Sequence, residues 1–206
     1  MSRAEFVHLH NHTEYSLLNA LARVTDDKGN PSDLLKQAAA WKMPALAITD
    51  SGNMYGAVEF YSACTDVGVA PVIGIETFMA PASRLDRTGA PSESSFPLVL
   101  LAENEKGYKN LLRLSRRAFL EGMYYKPRID REILKEHSAG LIGLSGPLKA
   151  EIPSALLRGE ADRAAAFVEE YQALLGKENF FLEVWDHGLP VEKKVLPLLV
   201  ELSRRT

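Results

Sequence analysis

Residues 45–78, ALAITDSGNMYGAVEFYSACTDVGVAPVIGIETF, read as a strand, a helix and a second strand. Ala45 to Thr49 and Ala70 to Phe78 are apolar runs of strand length, the second carrying β-branched Val72, Ile73 and Ile75. Between them, a stretch of helical period begins near Gly56, and Gly68 can close it. A strand, a crossover helix and a strand make the unit that joins parallel strands, so this stretch points to an α/β fold.

The same alternation extends outward. Further strands are expected at Phe6 to His10, Leu98 to Leu101, Leu141 to Leu144 and Phe180 to Val184. Helices are expected from Ser32-Asp33 to about Lys42, Lys106 to Leu120, Arg131 to Glu136, Ala161 to Leu175 before Gly176, and Pro190 to Arg204. Runs such as Leu98-Val99-Leu100-Leu101 are apolar on both faces, as strands covered on both sides must be. A barrel and a doubly wound sheet both satisfy this pattern. No glycine-rich phosphate loop follows the first strand, which counts against a dinucleotide-binding version of the latter. Residues 81–96, PASRLDRTGAPSESSF, read as an exposed loop within one domain. The last helix runs to Thr206 without a capping glycine, an ending that looks cut: one domain is expected over residues 1–206, with no second, and a parallel barrel ending here would lack its final strands and leave unpaired edges.

At 206 residues and 46% hydrophobic content, the chain can bury a core. Its net charge of -3 excludes an overall basic field for gripping duplex DNA. No apolar run is long enough to cross a bilayer, and a cytoplasmic location without membrane partners is expected. Cys64 is the one cysteine, which rules out an intrachain disulfide and a cysteine-cluster metal site; its helical surroundings predict a buried small side chain.

Chemistry is concentrated near the start. His8, His10 and His12 alternate with Leu9 and Asn11, so strand periodicity predicts three imidazoles on one face. Neutral imidazole is a common metal ligand, and a His-x-His at a strand end can offer two donors to one ion. On its own, that pattern is more often a set of polar side chains bonded to water and neighbours.

The order of HLHNHTEYSLLN (8–19), AITDSGNMYGAVEFY (47–61), PVIGIETFMAP (71–81), GYKNLLRLSRRAFLEGMYYKPRIDREILKEH (107–137) and GLIGLSGPLKAEIP (140–153) resembles the PHP (polymerase and histidinol phosphatase) domain of bacterial DNA polymerase III alpha subunits. Glu121-Gly122 through Lys126-Pro127-Arg128-Ile129-Asp130-Arg131-Glu132 is its most polymerase-specific part. The resemblance implies a distorted seven-stranded β/α barrel with metal ligands at the C-terminal ends of its strands. His10 and His12 fill the first ligand pair and Glu76 the carboxylate position. Asn19 stands in place of an aspartate, Ser51 and Pro97 in place of histidines, and Pro147 in place of a cysteine. An amide lacks the charge of a carboxylate, a hydroxyl is a poor zinc or manganese ligand, and proline's side chain has no donor. A late Asp-x-His would lie beyond Thr206.

His10, His12 and Glu76 are therefore expected as remnant ligands, sufficient at most for one weakly held zinc, manganese or magnesium ion, with no catalytic residues. The implied role is structural: a module of a DNA-directed DNA polymerase, a nucleotidyltransferase, whose polymerase segments lie elsewhere. Its implied partners are the remaining domains of that polymerase chain, a proofreading exonuclease subunit, and DNA through the parent replicase. The alternative is a metal-dependent phosphoesterase or proofreading exonuclease.

Other features read as structural. Lys109, Arg113, Arg116 and Arg117, followed by Lys126, Arg128 and Arg131, make a basic stripe expected to be a solvated face. Asp186-His187 is expected in a turn into the last helix. Trp41, Phe119 and Phe181 are expected in the core, and Trp185 at a partly exposed position.

Overall fold

Short apolar runs separated by amphipathic segments have formed seven strands and seven α-helices in the computed structural model, which describes residues 6–206. The chain divides into two compact units, one ending at Glu76 and one spanning Thr77–Thr206.

The first unit contains α1 (Asp33–Ala40), β1 (Ala45–Ile48), α2 (Ala57–Asp66) and most of β2 (Ala70–Met79), which continues into the second unit. β1 and β2 pair in parallel, with Ala45 opposite Ala70 and Ile48 opposite Ile73, as the strand–helix–strand pattern requires. Leu35 and Ala38 of α1, Leu46 and Ile48 of β1, and Phe60, Ala63 and Cys64 of α2 share one core. Burial of Cys64 pushes its thiol up to about 12, so it behaves as a packed apolar group. Gly68, with φ +73°, turns the chain out of α2 as expected.

Residues 6–10 form no regular strand, contrary to expectation. The chain from here to Asn11 instead lies beside β1 and Thr49 through two backbone bonds, Ala47 N–H to the His8 carbonyl (3.0 Å) and Thr49 N–H to the Asn11 carbonyl (2.9 Å), and through the Asn11 and Thr49 side chains. Residue spacing changes between those bonds, which breaks a regular ladder.

The second unit contains β3 (Phe96–Ala102), α3 (Glu105–Leu120), β4 (Met123–Tyr124), β5 (Lys126–Ile129), α4 (Arg131–Glu136), β6 (Leu141–Leu144), α5 (Glu151–Leu157), α6 (Ala161–Leu175), β7 (Phe180–Phe181) and α7 (Pro190–Arg205). Asn104 caps α3 by accepting from Gly107 N–H at 3.1 Å, and Asp130 caps α4 by accepting from Ile133 N–H at 3.2 Å. Leu111, Leu114 and Ala118 give α3 a buried stripe at helical spacing.

The end of β2 pairs with β5 in parallel, and β6 pairs with β7 in parallel. β3 and β6, however, are antiparallel, as are β4 and β5. The α/β class stands, but its pairing is mixed where a parallel sheet was expected. Strands buried on both faces carry the same apolar composition in either direction, so their sequence does not encode orientation.

Arg128 and Arg84 organise residues 81–96. Arg128, 1% exposed, donates to the carbonyls of Gly122 (3.1 Å), Ser94 (3.1 Å), Arg84 (3.0 Å) and Asp86 (2.5 Å). Buried Arg84 pairs with Glu121, Asp130 and Glu132. The segment expected as an exposed loop is thus partly internal, with Arg84 and Ser94 both buried.

Much of the expected basic stripe is also taken up within this unit. Lys109 pairs with Glu105, Arg117 with Glu121 and Glu136, and Arg131 with Glu151 and Glu170. Two aromatic side chains depart from their expected burial. Trp41 lies past the buried face of α1 and is 53% exposed, while Phe181 takes the outward side of β7, opposite buried Phe180, and is 52% exposed. Phe119 is half-buried.

Candidate metal centre

The C-terminal end of β1 and the nearby part of β2 assemble a group of donors within the first unit. After Ile48, the chain continues through Thr49, Asp50 and Ser51, and Ser51 bridges in parallel to Glu76. Backbone bonds from Glu76 N–H to the Asp50 carbonyl (3.1 Å) and from Gly52 N–H to the Glu76 carbonyl (2.8 Å) fix this register. The neighbouring extended segment supplies His10 and His12.

His10, His12 and Glu76 bring their ligand atoms within 4.8 Å of one another. The two Nε2 atoms are 3.3 Å apart, and Glu76 Oε2 lies 3.5 Å from His10 Nε2 and 3.7 Å from His12 Nε2. Donors at about 2.1 Å around a tetrahedral ion are about 3.4 Å apart, so two imidazoles and a carboxylate at this spacing fit a single divalent ion. Burial alone would raise the Glu76 carboxyl, but the hydrogen bond with His10, the nearby His12 and the Ser51 hydroxyl hold it below the usual carboxylate range.

His8 does not join this group, although alternation placed it on the same face. It is exposed and packs edge-on to Phe6, with ring centroids 4.8 Å apart. Irregularity of the segment beside β1 removes the period-two relation that the prediction required.

Two of the positions where the resemblance implied lost ligands are side by side. Asn19 Nδ2 donates to Ser51 Oγ at 3.2 Å, and Ser51 Oγ donates to Glu76 Oε1 at 2.9 Å. Pro97 lies in β3 and Pro147 follows β6, both in the second unit. Neither side chain offers a metal donor.

Sequence reasoning did not single out the polar layer behind His12. Its Nδ1 lies 3.0 Å from Ser16 Oγ and 3.2 Å from Ser51 Oγ. Ser16 Oγ donates to buried Asp50 at 2.5 Å, and Asp50 also accepts from Thr13 N–H at 2.6 Å and Thr13 Oγ1 at 2.7 Å. The available signal was an aspartate directly after an apolar strand, where a buried carboxylate needs several donors.

Asp186-His187 forms a turn, as expected. Glu192 in the first turn of α7 accepts from His187 N–H at 2.7 Å, His187 Nδ1 at 2.8 Å and Leu189 N–H at 3.3 Å. These bonds use the site to start a helix.

The PHP domain family profile matches residues 8–187. A DNA polymerase III subunit alpha from Treponema pallidum is 46% identical over 206 residues, covering 100% of this chain and 17% of that protein. The corresponding protein from Thermus aquaticus is 48% identical over 208 residues, covering 99% of this chain and 16% of that protein. This chain therefore spans about one sixth of the length of these relatives. A crystal structure of a putative metal-dependent phosphoesterase from Bifidobacterium adolescentis is 14% identical, with a TM-score of 0.41, covering 96% of this chain and 84% of that one. The match across residues 8–187 establishes that this chain belongs to the PHP domain family.

Proposed function

We propose that this chain is the PHP module of a replicative DNA polymerase III alpha subunit and serves in DNA replication as structural support and a docking surface for a proofreading exonuclease subunit. In this reading, the nucleotidyltransferase activity and the contact with DNA belong to other domains of the parent chain. The module works in the cytoplasm and carries out no metal-dependent ester cleavage of its own. Among the described residues, no helix is long and apolar enough to cross a membrane, which is compatible with that setting.

The observation that carries the reading is the reduced donor set. His10, His12 and Glu76 provide three ligands, while Asn19 and Ser51 bond to each other and to Glu76 through an amide and a hydroxyl. Multinuclear ester cleavage needs ions that hold and polarise both the attacking and leaving oxygens. Three donors suit one ion, zinc, manganese or magnesium, bracing the first unit. Such an ion would neutralise Glu76 and link it to the two imidazoles.

The second reading is a metal-dependent phosphoesterase or proofreading exonuclease. It is favoured by the spacing of 3.3–3.7 Å among the three donor atoms, already suited to an ion. Metal analysis and hydrolysis of a model phosphodiester separate the readings. The structural role predicts no more than one ion per chain and no hydrolysis sensitive to His10→Ala. Several tightly bound ions together with hydrolysis abolished by His10→Ala would establish the catalytic reading instead. Docking is tested by size-exclusion chromatography with a purified proofreading exonuclease. Coelution is expected, and separate elution at micromolar concentrations would remove that part of the proposal.

A further inference from the structure

We infer that Ser16 and Asp50 are positioning residues that hold His12 with its proton on Nδ1, leaving the Nε2 lone pair aimed towards His10 and Glu76. This rests on reading His10, His12 and Glu76 as an ion site, and it assigns a purpose to the buried polar layer behind them.

Proton counting carries the assignment. Ser16 has one hydroxyl proton, and the 2.5 Å bond to the Asp50 carboxylate uses it. Ser16 Oγ also accepts from Ser51 N–H at 3.0 Å, so it faces His12 Nδ1 as an acceptor. Ser51 likewise has one hydroxyl proton, directed to Glu76 Oε1 at 2.9 Å, and its oxygen accepts from Asn19 Nδ2 at 3.2 Å. Both oxygens near His12 Nδ1 are therefore acceptors, and Nδ1 must donate. In a neutral imidazole, the other nitrogen then carries the lone pair.

Asp50 is the fixed end of this relay. It is 1% exposed, and the Thr13 backbone N–H and hydroxyl hold its two oxygens at 2.6 and 2.7 Å. Its carboxylate orients the Ser16 hydroxyl, which in turn orients the His12 ring. Metal-bound histidines are commonly oriented by a carboxylate or carbonyl on their second nitrogen, and losing that partner typically lowers metal affinity about 10–100-fold. Here a serine stands between carboxylate and imidazole, and Ser51 adds a second acceptor. The Ser51 substitution for an expected ligand thus supports the orientation of a surviving one.

The test is a long-range proton–nitrogen NMR spectrum of the histidine rings in the whole, metal-free chain, at about pH 8 where imidazole is neutral. His12 is expected as the Nδ1–H tautomer in the wild type. Ser16→Ala is expected to shift it towards Nε2–H and weaken zinc binding about 10–100-fold by calorimetry, whereas Ser16→Thr retains both properties. A wild-type Nε2–H tautomer would overturn the assignment without any variant. An unchanged tautomer and zinc affinity in folded Ser16→Ala would do so as well. If wild-type protein binds no zinc, the ion-site reading fails, while the spectrum still decides the tautomer.

Discussion

At the scale of single residues, Arg128 illustrates why a basic sequence motif need not face a ligand. Four of its N–H groups donate to backbone carbonyls, and desolvation lowers its pKa from the ordinary arginine value. Replacing it by methionine preserves apolar volume but removes the guanidinium donors from the Ser94, Arg84 and Asp86 carbonyls, while Gly122 keeps the backbone N–H of residue 128. Arg128→Met should destabilise the chain by about 3 kcal/mol in urea unfolding, and Arg128→Lys should recover little because an ammonium cannot span several separated acceptors. Wild-type stability in both variants would show that water replaces the guanidinium without cost. His10 and His12 teach a related lesson. Residue type and spacing alone favoured ordinary polar side chains, and the resemblance implied His10 and His12 as ligands; strand alternation also grouped His8 with them, and the irregular backbone beside β1 separates His8 from the other two. Ser16 and Asp50 were not singled out because their relation to His12 spans distant parts of the chain, and no local periodicity connects residues 16 and 50.

Elements depend on close approaches that their own sequence does not display. Gly122, after α3, would place an added Cβ only 1.9 Å from the Arg128 carbonyl oxygen of β5. Gly122→Ala should therefore cost about 3 kcal/mol through forced separation of α3 and β5, seen as a lower denaturant midpoint. An unaffected midpoint would mean that the two elements part freely. The start of α7 makes a pH-dependent prediction. The hydrogen bond with His187, outweighing desolvation, and the added bonds from His187 N–H and Leu189 N–H hold the Glu192 carboxyl below its usual value. Its folded pKa is depressed, so its stabilisation is present above the unfolded value and is lost as pH falls through the folded one. On acidification from about pH 6 to about pH 3, the melting temperature of Glu192→Gln should fall less than that of the wild type. Parallel acid profiles would remove the carboxylate from that dependence. Most helices were legible from apolar spacing and Pro or Gly punctuation, including α3, α4, α6 and α7. Helix α5 and the β4–β5 hairpin were not. They are short, and the N-cap of α5, Ala150, makes no side-chain cap bond.

For the whole molecule, the proposed ion provides a direct stability test. A ligand that binds only the folded chain stabilises it by about 2.7 kcal/mol when free ligand reaches 100 times its dissociation constant. Zinc titration should raise the wild-type melting temperature, while His10→Ala and Glu76→Gln should each remove most of the rise. An identical zinc response in all three proteins would place the ion elsewhere. The α/β class and its strand–helix–strand unit were readable because alternating burial leaves a local period in the sequence. The grouping of His10, His12 and Glu76 as candidate donors was legible from the order of motifs that carries the resemblance, and their atoms do lie within 4.8 Å of one another. Tertiary structure alone decided that β3 and β6 run antiparallel, that Arg128 is buried, and that hydroxyls from Ser16 and Ser51 meet His12. Side-chain periodicity records whether a position is covered, but strand direction and polar partnership arise only when distant backbone and side-chain groups satisfy one another in three dimensions.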